Sequence, residues 1–351
     1  MKRWLPALVA AMLLLGGCSV LPGEDRAFAV AMGVSETGGV WEVSVRLPTY
    51  QTGGGYMTLT ARGNSLGEAM ALLNASAPME LHYGQLRLLL FAETLAESDR
   101  FQEILRALAA RGEVRPQAVI AVTPDNVPDV MDALEPATGS RLSKSLESLM
   151  KAREKAGVAE LVTLEEWQRM GQRQQVVLMN AAMESAAANT VPGMDATAGE
   201  QAAKGAGKVQ FSGGWMASHT GAVKGELTAM EMQLLSLLKG KTRQGVLSLP
   251  EGTLTLLDAK CSITLEGQEV QCSLRVRYSA SDMTEEGAQA ALISSLQSLT
   301  GKLGKAGCDA LGVGRKAMLG RMTMEDWKRL NWPETYPALT WRFTVKAERE
   351  A

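Results

Sequence analysis

The sequence predicts an α+β protein, with mixed or antiparallel sheets and helices packed against them. Three observations carry this. Short β-type segments bounded by Gly, Pro and Asn recur along the whole chain. Between them lie segments with apolar residues at helical spacing, several opened by Ser/Thr-x-x-Glu capping boxes. Two long alternating runs meet at Glu266-Gly267 and read as an antiparallel hairpin.

In chain order, Ala27–Gly33 reads as a buried strand, "ETGG" as a turn, and Val40–Leu47 as a second, alternating strand. Gly55–Gly63 is a third. Ser65-Leu-Gly-Glu68 is a capping box that starts a helix ended by Pro78. Gly84–Phe91 is a strand, Phe101, Ile104, Leu105 and Leu108 mark a helix, and Val114–Val122 is again a strand. The next region is helical. Leu142, Leu146, Leu149 and Met150 share one face. Thr163-Leu-Glu-Glu166 is a second capping box, with Val162 and Trp167 placed for a hydrophobic staple.

From Asn180 to Lys208 the chain has no Leu, Ile or aromatic residue, so its middle, 186–208, is expected to be a linker. A further unit starts near Val209. "VQFSGGWMA" and "GAVKGEL" frame a strand pair, Thr228-Ala-Met-Glu231 caps a helix, and "RQGVLSL" is a strand. After the long hairpin, Asp282-Met-Thr-Glu285 opens a helix with Ala288, Leu292, Leu296, Leu299 and Leu303 on one side. A short helix holds Trp327, and "PALTWRFTVKAE" closes as a strand. The expected units are 1–17, 18–122, a helix-rich 123–185, the 186–208 linker and 209–351.

In the hairpin, a two-residue turn at Glu266-Gly267 sets Leu265 opposite Gln268, Ile263 opposite Val270 and Cys261 opposite Cys272. Directly opposed residues lie within the Cα range a disulfide accepts, about 5.5 Å. The pair is therefore either a cross-strand disulfide or two thiols filling a core. Cys308 has no partner in this scheme and is expected as a buried or partly buried free thiol.

The N-terminus carries the sharpest motif. Lys2 and Arg3 precede an apolar run, Leu5–Leu15, of the length of a signal sequence core and too short to span a bilayer. Leu15-Gly16-Gly17-Cys18 matches a bacterial lipobox. Cleavage before Cys18 would leave acyl chains on that residue, and two or more chains anchor stably where one does not. The body from residue 19 onward is then expected outside the cytoplasmic membrane.

Composition narrows the function. The 351 residues carry 36 Lys and Arg against 38 Asp and Glu, a formal net charge of −2, and no region is strongly basic, which argues against nucleic acid as a partner. His82 and His219 are the only histidines, too few for the usual metal sites or nucleophilic triads. "GAGKV" (Gly205–Val209) lacks the spacing of a phosphate loop, and "GVGRKAMLG" (Gly312–Gly320) follows a helix rather than a strand. Ser148-Leu-Met-Lys151 sits in an amphipathic helix without companion motifs. No enzyme and no cofactor is expected.

The order of motifs resembles one known family. "EDRAFAVAMGV…VWEVSVRLP" after the lipobox, "NSLGEAMALLN", "LHYGQLRLLLFAETLA", and Arg111-Gly-Glu113-Val-Arg115 before a strand are similar to the Ger(x)C spore germination lipoproteins. So are "SHTGAVKGELTAMEMQLLSLLKGKTRQGVLSL", the Asp309/Gly312/Gly314 cluster and "WKRLNWPETYPALTWRFTVKA". The family often shows Asp-x-x-Gly-Phe-Gly at that cluster; this chain has Val313 in place of the aromatic. The resemblance implies three mixed α/β domains in an elongated arrangement. It implies a non-catalytic C subunit of a nutrient germinant receptor, tethered through lipid on Cys18 at the outer face of the spore inner membrane. Its partners would be the membrane A and B subunits, and whether it touches the nutrient itself is left open. An extracytoplasmic solute-binding lipoprotein is the alternative.

Overall fold

The computed structural model describes residues 26–49, 55–136, 141–170, 175–183, 209–279, 283–319 and 323–350. The N-terminal part runs β1 (Arg26–Phe28), β2 (Ala31–Thr37), β3 (Val40–Pro48), β4 (Tyr56–Gly63), α1 (Leu66–Ser76), β5 (Glu80–His82), β6 (Leu88–Ala92), α2 (Glu93–Ala96) and α3 (Phe101–Ala110). It continues with β7 (Val119–Thr123), α4 (Val127–Ala133), α5 (Leu142–Lys155), α6 (Leu164–Met170), β8 (Val177–Met183), β9 (Val209–Ala217) and β10 (Val223–Leu227). Then come α7 (Ala229–Leu238), β11 (Gly245–Leu249), β12 (Gly252–Glu266), β13 (Glu269–Ser279), α8 (Glu285–Ala306), α9 (Val313–Leu319), α10 (Met324–Leu330), α11 (Trp332–Thr335) and β14 (Thr340–Arg349).

Eight strands form one mixed sheet in the order β10-β9-β8-β7-β6-β2-β3-β4. Its centre is parallel: β2 pairs with β6, β6 with β7 and β7 with β8 in parallel, and the flanking pairs are antiparallel. The central strands are buried on both faces, which is why they read as unbroken apolar runs. On β6, Leu89 and Phe91 join a core with α1 and α3 through Leu73, Phe101 and Leu105. Leu88 and Leu90 face the opposite core, built with α4 and α5 through Val130, Met131, Leu142 and Leu146. β1 and β5 form a small parallel pair beside this sheet.

This sheet crosses both unit boundaries expected from the sequence. Helices α4 and α5, expected in a separate helix-rich unit, cover one face of it. β9, expected to open the last unit, pairs with β8 from Val177↔Met216 to Met183↔Val209. The reason is packing: Phe211 completes the core under α5, and Trp215 completes the other face with Leu178. The expected linker, 186–208, falls outside the described residues, between two strands that are neighbours in the sheet.

The second sheet has the order β11-β12-β13-β14. β11, β12 and β13 are antiparallel to their neighbours; β14 is parallel to β13 and is reached through α8. Thr284 Oγ1 accepts from the Gly287 N–H (3.1 Å) at the start of α8, and Gly307 ends the helix in the left-handed region (φ 62°). The apolar stripe expected on α8 is buried, with Leu292, Leu296, Leu299 and Leu303 fully inaccessible. Asp282, expected to open this helix, lies outside the described residues. Leu234 and Leu238 of α7 enter the same core, and so do Val177, Met216 and Leu227 from the first sheet. Among the described residues, no helix is long and apolar enough to cross a membrane.

Candidate functional site

The parallel strands β2, β6 and β7 end along one edge of the large sheet. From β2 the chain proceeds to β3 on one side; from β6 it proceeds to β7 on the other. Such a divergence leaves a crevice at the strand ends, the usual place for ligands in open parallel sheets. Here it is a cleft of about 530 Å³, lined by Ser35, Thr37, Glu42, Glu93, Thr123 and Asp125 among others. Most of its polar groups are engaged in local structure. Asp125 accepts from the Met183 N–H (2.6 Å), its own N–H donates to Thr123 Oγ1 (3.1 Å), and Glu42 is paired with Arg62. Asn126 caps α4 by accepting from the Asp129 N–H (3.2 Å). Burial, then repulsion from Glu97, raises the Glu93 carboxyl above its usual range. The cleft thus presents hydroxyls and carboxylates, most of them already hydrogen-bonded or ion-paired within the fold.

A second polar concentration joins the two sheets. Glu160, in the loop after α5, accepts from Lys239 Nζ (2.6 Å) and Lys241 Nζ (2.8 Å) at the end of α7. Burial works to raise this carboxyl, but the two ammonium groups outweigh it and hold it below its usual range. Nearby, the Asp309 N–H donates to Gln175 Oε1 (3.0 Å), and the Cys308 thiol lies 3.6 Å from the Val176 carbonyl oxygen, just before β8.

Asp309 is itself the centre of a buried knot. Its carboxylate accepts from the Val313 N–H (2.8 Å), the Gly314 N–H (2.7 Å) and Trp332 Nε1 (3.1 Å). Burial nonetheless pushes its pKa up to about 6, against these hydrogen bonds. Gly314 is required by the same contact: a Cβ there would stand 2.5 Å from the Trp332 ring. The Asp309-x-x-Gly312-x-Gly314 spacing is thus a seat for a tryptophan, with Gly312 turning the chain at φ +66°.

Residues 22–178 match the family model of the spore germination protein N-terminal domain. A crystal structure of the GerBC protein matches with a TM-score of 0.53 over 91% of this chain and 97% of that one, at 13% identity, a likeness of fold. Residues 22–178 are thus a spore germination protein N-terminal domain. No curated protein matches the chain.

The matched segment begins four residues past Cys18, which lies outside the described residues. It contains the strands whose ends form the cleft. The hairpin of the second sheet departs from the expected register. Its turn is Gly267-Gln268 rather than Glu266-Gly267, because Gly267 at φ +64° takes the first central position of the turn. Leu265 therefore pairs with Val270, Ile263 with Cys272 and Cys261 with Leu274. Cys261 and Cys272 are diagonal neighbours on one face, not opposed, with free thiols and sulfurs 3.8 Å apart. Cys308 is a free, fully buried thiol. His82 sits on β5 with its ring 5.5 Å from that of Phe28, and its Nδ1 is buried without a hydrogen-bond partner. His219 lies in the β9–β10 turn. Among the described residues no group of three His, Cys, Asp or Glu is arranged for a metal. The cleft, the Glu160 joint and the Asp309 knot were not singled out from the sequence as sites. Only the Asp309 spacing left a trace there.

Proposed function

We propose that this spore germination protein is the lipid-anchored C subunit of a nutrient germinant receptor. Acyl chains on Cys18 hold it at the outer face of the spore inner membrane. There it acts through protein–protein contact with the membrane A and B subunits, without catalysis of its own. The observation that carries the reading is positional: the segment matching the spore germination domain starts at Pro22, directly after Leu15-Gly-Gly-Cys18. A tether and a receptor domain are thus joined with almost no intervening chain, which keeps the body close to the bilayer surface.

Replacing the anchor tests this. Cys18→Ala should move most of the protein out of the spore membrane fraction and impair the germination response to nutrient. Retention of the variant in membranes at normal levels would sink the tether. Co-purification of the native protein from spore membranes, read by mass spectrometry, should recover two multi-spanning subunits. Recovery without them would sink the receptor role.

One observation favours a second reading, a solute-binding lipoprotein: the cleft of about 530 Å³ at the divergence between β2 and β6 is large enough for an amino acid or a sugar. The co-purification separates the two readings, since two multi-spanning partners are expected only from the first; titration calorimetry of the purified chain with such solutes tests the cleft, and no saturable heat would sink the second.

A further inference from the structure

We infer that Cys261 and Cys272 form an oxidation site, a dithiol that closes to an internal disulfide across the β12–β13 hairpin when it meets an external disulfide. The inference stands on the hairpin's own geometry and is independent of the receptor reading.

The argument begins with the register. Cys261 pairs with Leu274 and Ile263 with Cys272, so the two cysteines lie one diagonal step apart on the same face. Their side chains point toward each other, and the sulfurs are in van der Waals contact at 3.8 Å. Diagonal neighbours lie about 7–8 Å apart, at the outer edge of the range a disulfide spans, so closure from 3.8 Å to a bond of about 2.05 Å asks for side-chain rotation with a slight inward shift of the two strands, and for no strand exchange or unfolding. The two thiols differ in access. Cys272 is buried, Cys261 is partly exposed, and the remaining described thiol, Cys308, is fully buried. An external reagent therefore meets Cys261 first. The environment also favours its thiolate: the contact with Cys272 stabilises the Cys261 anion, and the Lys316 ammonium of α9 adds to this, while the Cys272 thiol is raised in turn. Cys308 has neither a sulfur neighbour nor access, and burial raises its thiol.

The chemistry is thiol–disulfide exchange with a low-molecular-weight disulfide or a disulfide oxidoreductase. The Cys261 thiolate attacks one sulfur of the external disulfide, whose S–S bond breaks and whose other half leaves as a thiolate. A mixed disulfide now sits on Cys261. Cys272 gives up its proton and attacks the Cys261 sulfur, which forms the internal S–S bond and expels the second thiol. Two protein thiols are oxidised and one external disulfide is reduced to two thiols. Compartments outside the cytoplasmic membrane let such bonds persist.

The full chain, reduced and then incubated with oxidised glutathione, is denatured, alkylated and weighed intact. The expected result is a chain about 2 Da lighter than the reduced form before labelling, with label lost from Cys261 and Cys272 and kept on Cys308. Cys272→Ser should instead accumulate glutathione on Cys261, because the second attack is lost. Cys261→Ser should gain neither glutathione nor an internal bond. Full labelling of Cys261 and Cys272 after oxidation, a mixed disulfide that persists in the unaltered chain, or a bond to Cys308 would each overturn the assignment.

Discussion

At the scale of single residues, Asp309 shows how a sequence spacing becomes a structural part. The carboxylate is held by two backbone N–H groups and the Trp332 indole, yet burial keeps its pKa near 6, above the ordinary 3.8. The folded chain holds that proton more tightly than the unfolded one. The stability contributed by the group is therefore complete below about pH 4 and is lost as pH rises through about 6. Thermal melts between pH 4 and 7 should show this slope, and Asp309→Asn should flatten it. The same variant should be less stable throughout by about 1–3 kcal/mol, because an amide N–H₂ must replace an accepting oxygen. Gly314→Ala should cost about 1–3 kcal/mol in denaturant melts, from its collision with the Trp332 ring. Asp309 and its glycines were visible in the sequence as a motif. Their job was not, since Trp332 and Gln175 come from distant positions. The cysteines show the reverse case. The sequence reading placed the turn one residue early, which shifts every partner by two. A shift of two preserves the face, so the two thiols still meet, diagonally instead of directly.

At the scale of elements, local signals carried far. The capping box at Thr163 is formed: Glu166 N–H donates to Thr163 Oγ1 (3.2 Å) and Thr163 N–H to Glu166 Oε2 (2.9 Å). At Thr228 both halves are present as well, with Glu231 N–H to Thr228 Oγ1 at 3.2 Å and Thr228 N–H to Glu231 Oε2 at 2.8 Å. Thr228→Ala should lower stability by about 1 kcal/mol, read as a shift of the denaturation midpoint. At Ser65 only half of the expected box forms. Ser65 Oγ accepts from the Glu68 N–H (3.1 Å), but the Glu68 carboxylate reaches past it to the Asn64 N–H (2.7 Å). Two strands have no counterpart in the sequence reading, the short β5 and the longer β8. The β8 run Val177–Met183 ends in Asn-Ala-Ala-Met, residues with weak strand preference. It is a strand because β7 and β9 flank it, and Val177, Leu178 and Met179 are fully buried between them.

For the whole molecule, what escaped the sequence was which elements share a sheet. Pairing of β8 with β9 links residues on either side of a polar, alanine-rich segment, and no local pattern encodes that choice. The cleft depends on it too, since Asp125 at the cleft is fixed by the Met183 N–H of β8. The two sheets are then held together by a shared apolar core and by Glu160 with Lys239 and Lys241. Glu160→Gln should leave the largely buried Lys239 ammonium without its counter-charge and cost about 3 kcal/mol at neutral pH. Because the Glu160 carboxyl lies below its ordinary value of 4.5 in the folded chain, this difference should be full above that value and shrink as the solution is acidified below it. Melts of the two proteins at pH 3, 5 and 7 check this.

Met183 and Val209 face each other directly across two adjacent strands. Whatever lies between them, twenty-five residues or many more, starts and finishes within a few ångströms. The entropic penalty of such a closed excursion grows only with the logarithm of its length. That makes 184–208 the natural place to graft a reporter or an affinity handle, and the place where related chains are freest to gain or lose residues without disturbing the scaffold on either side.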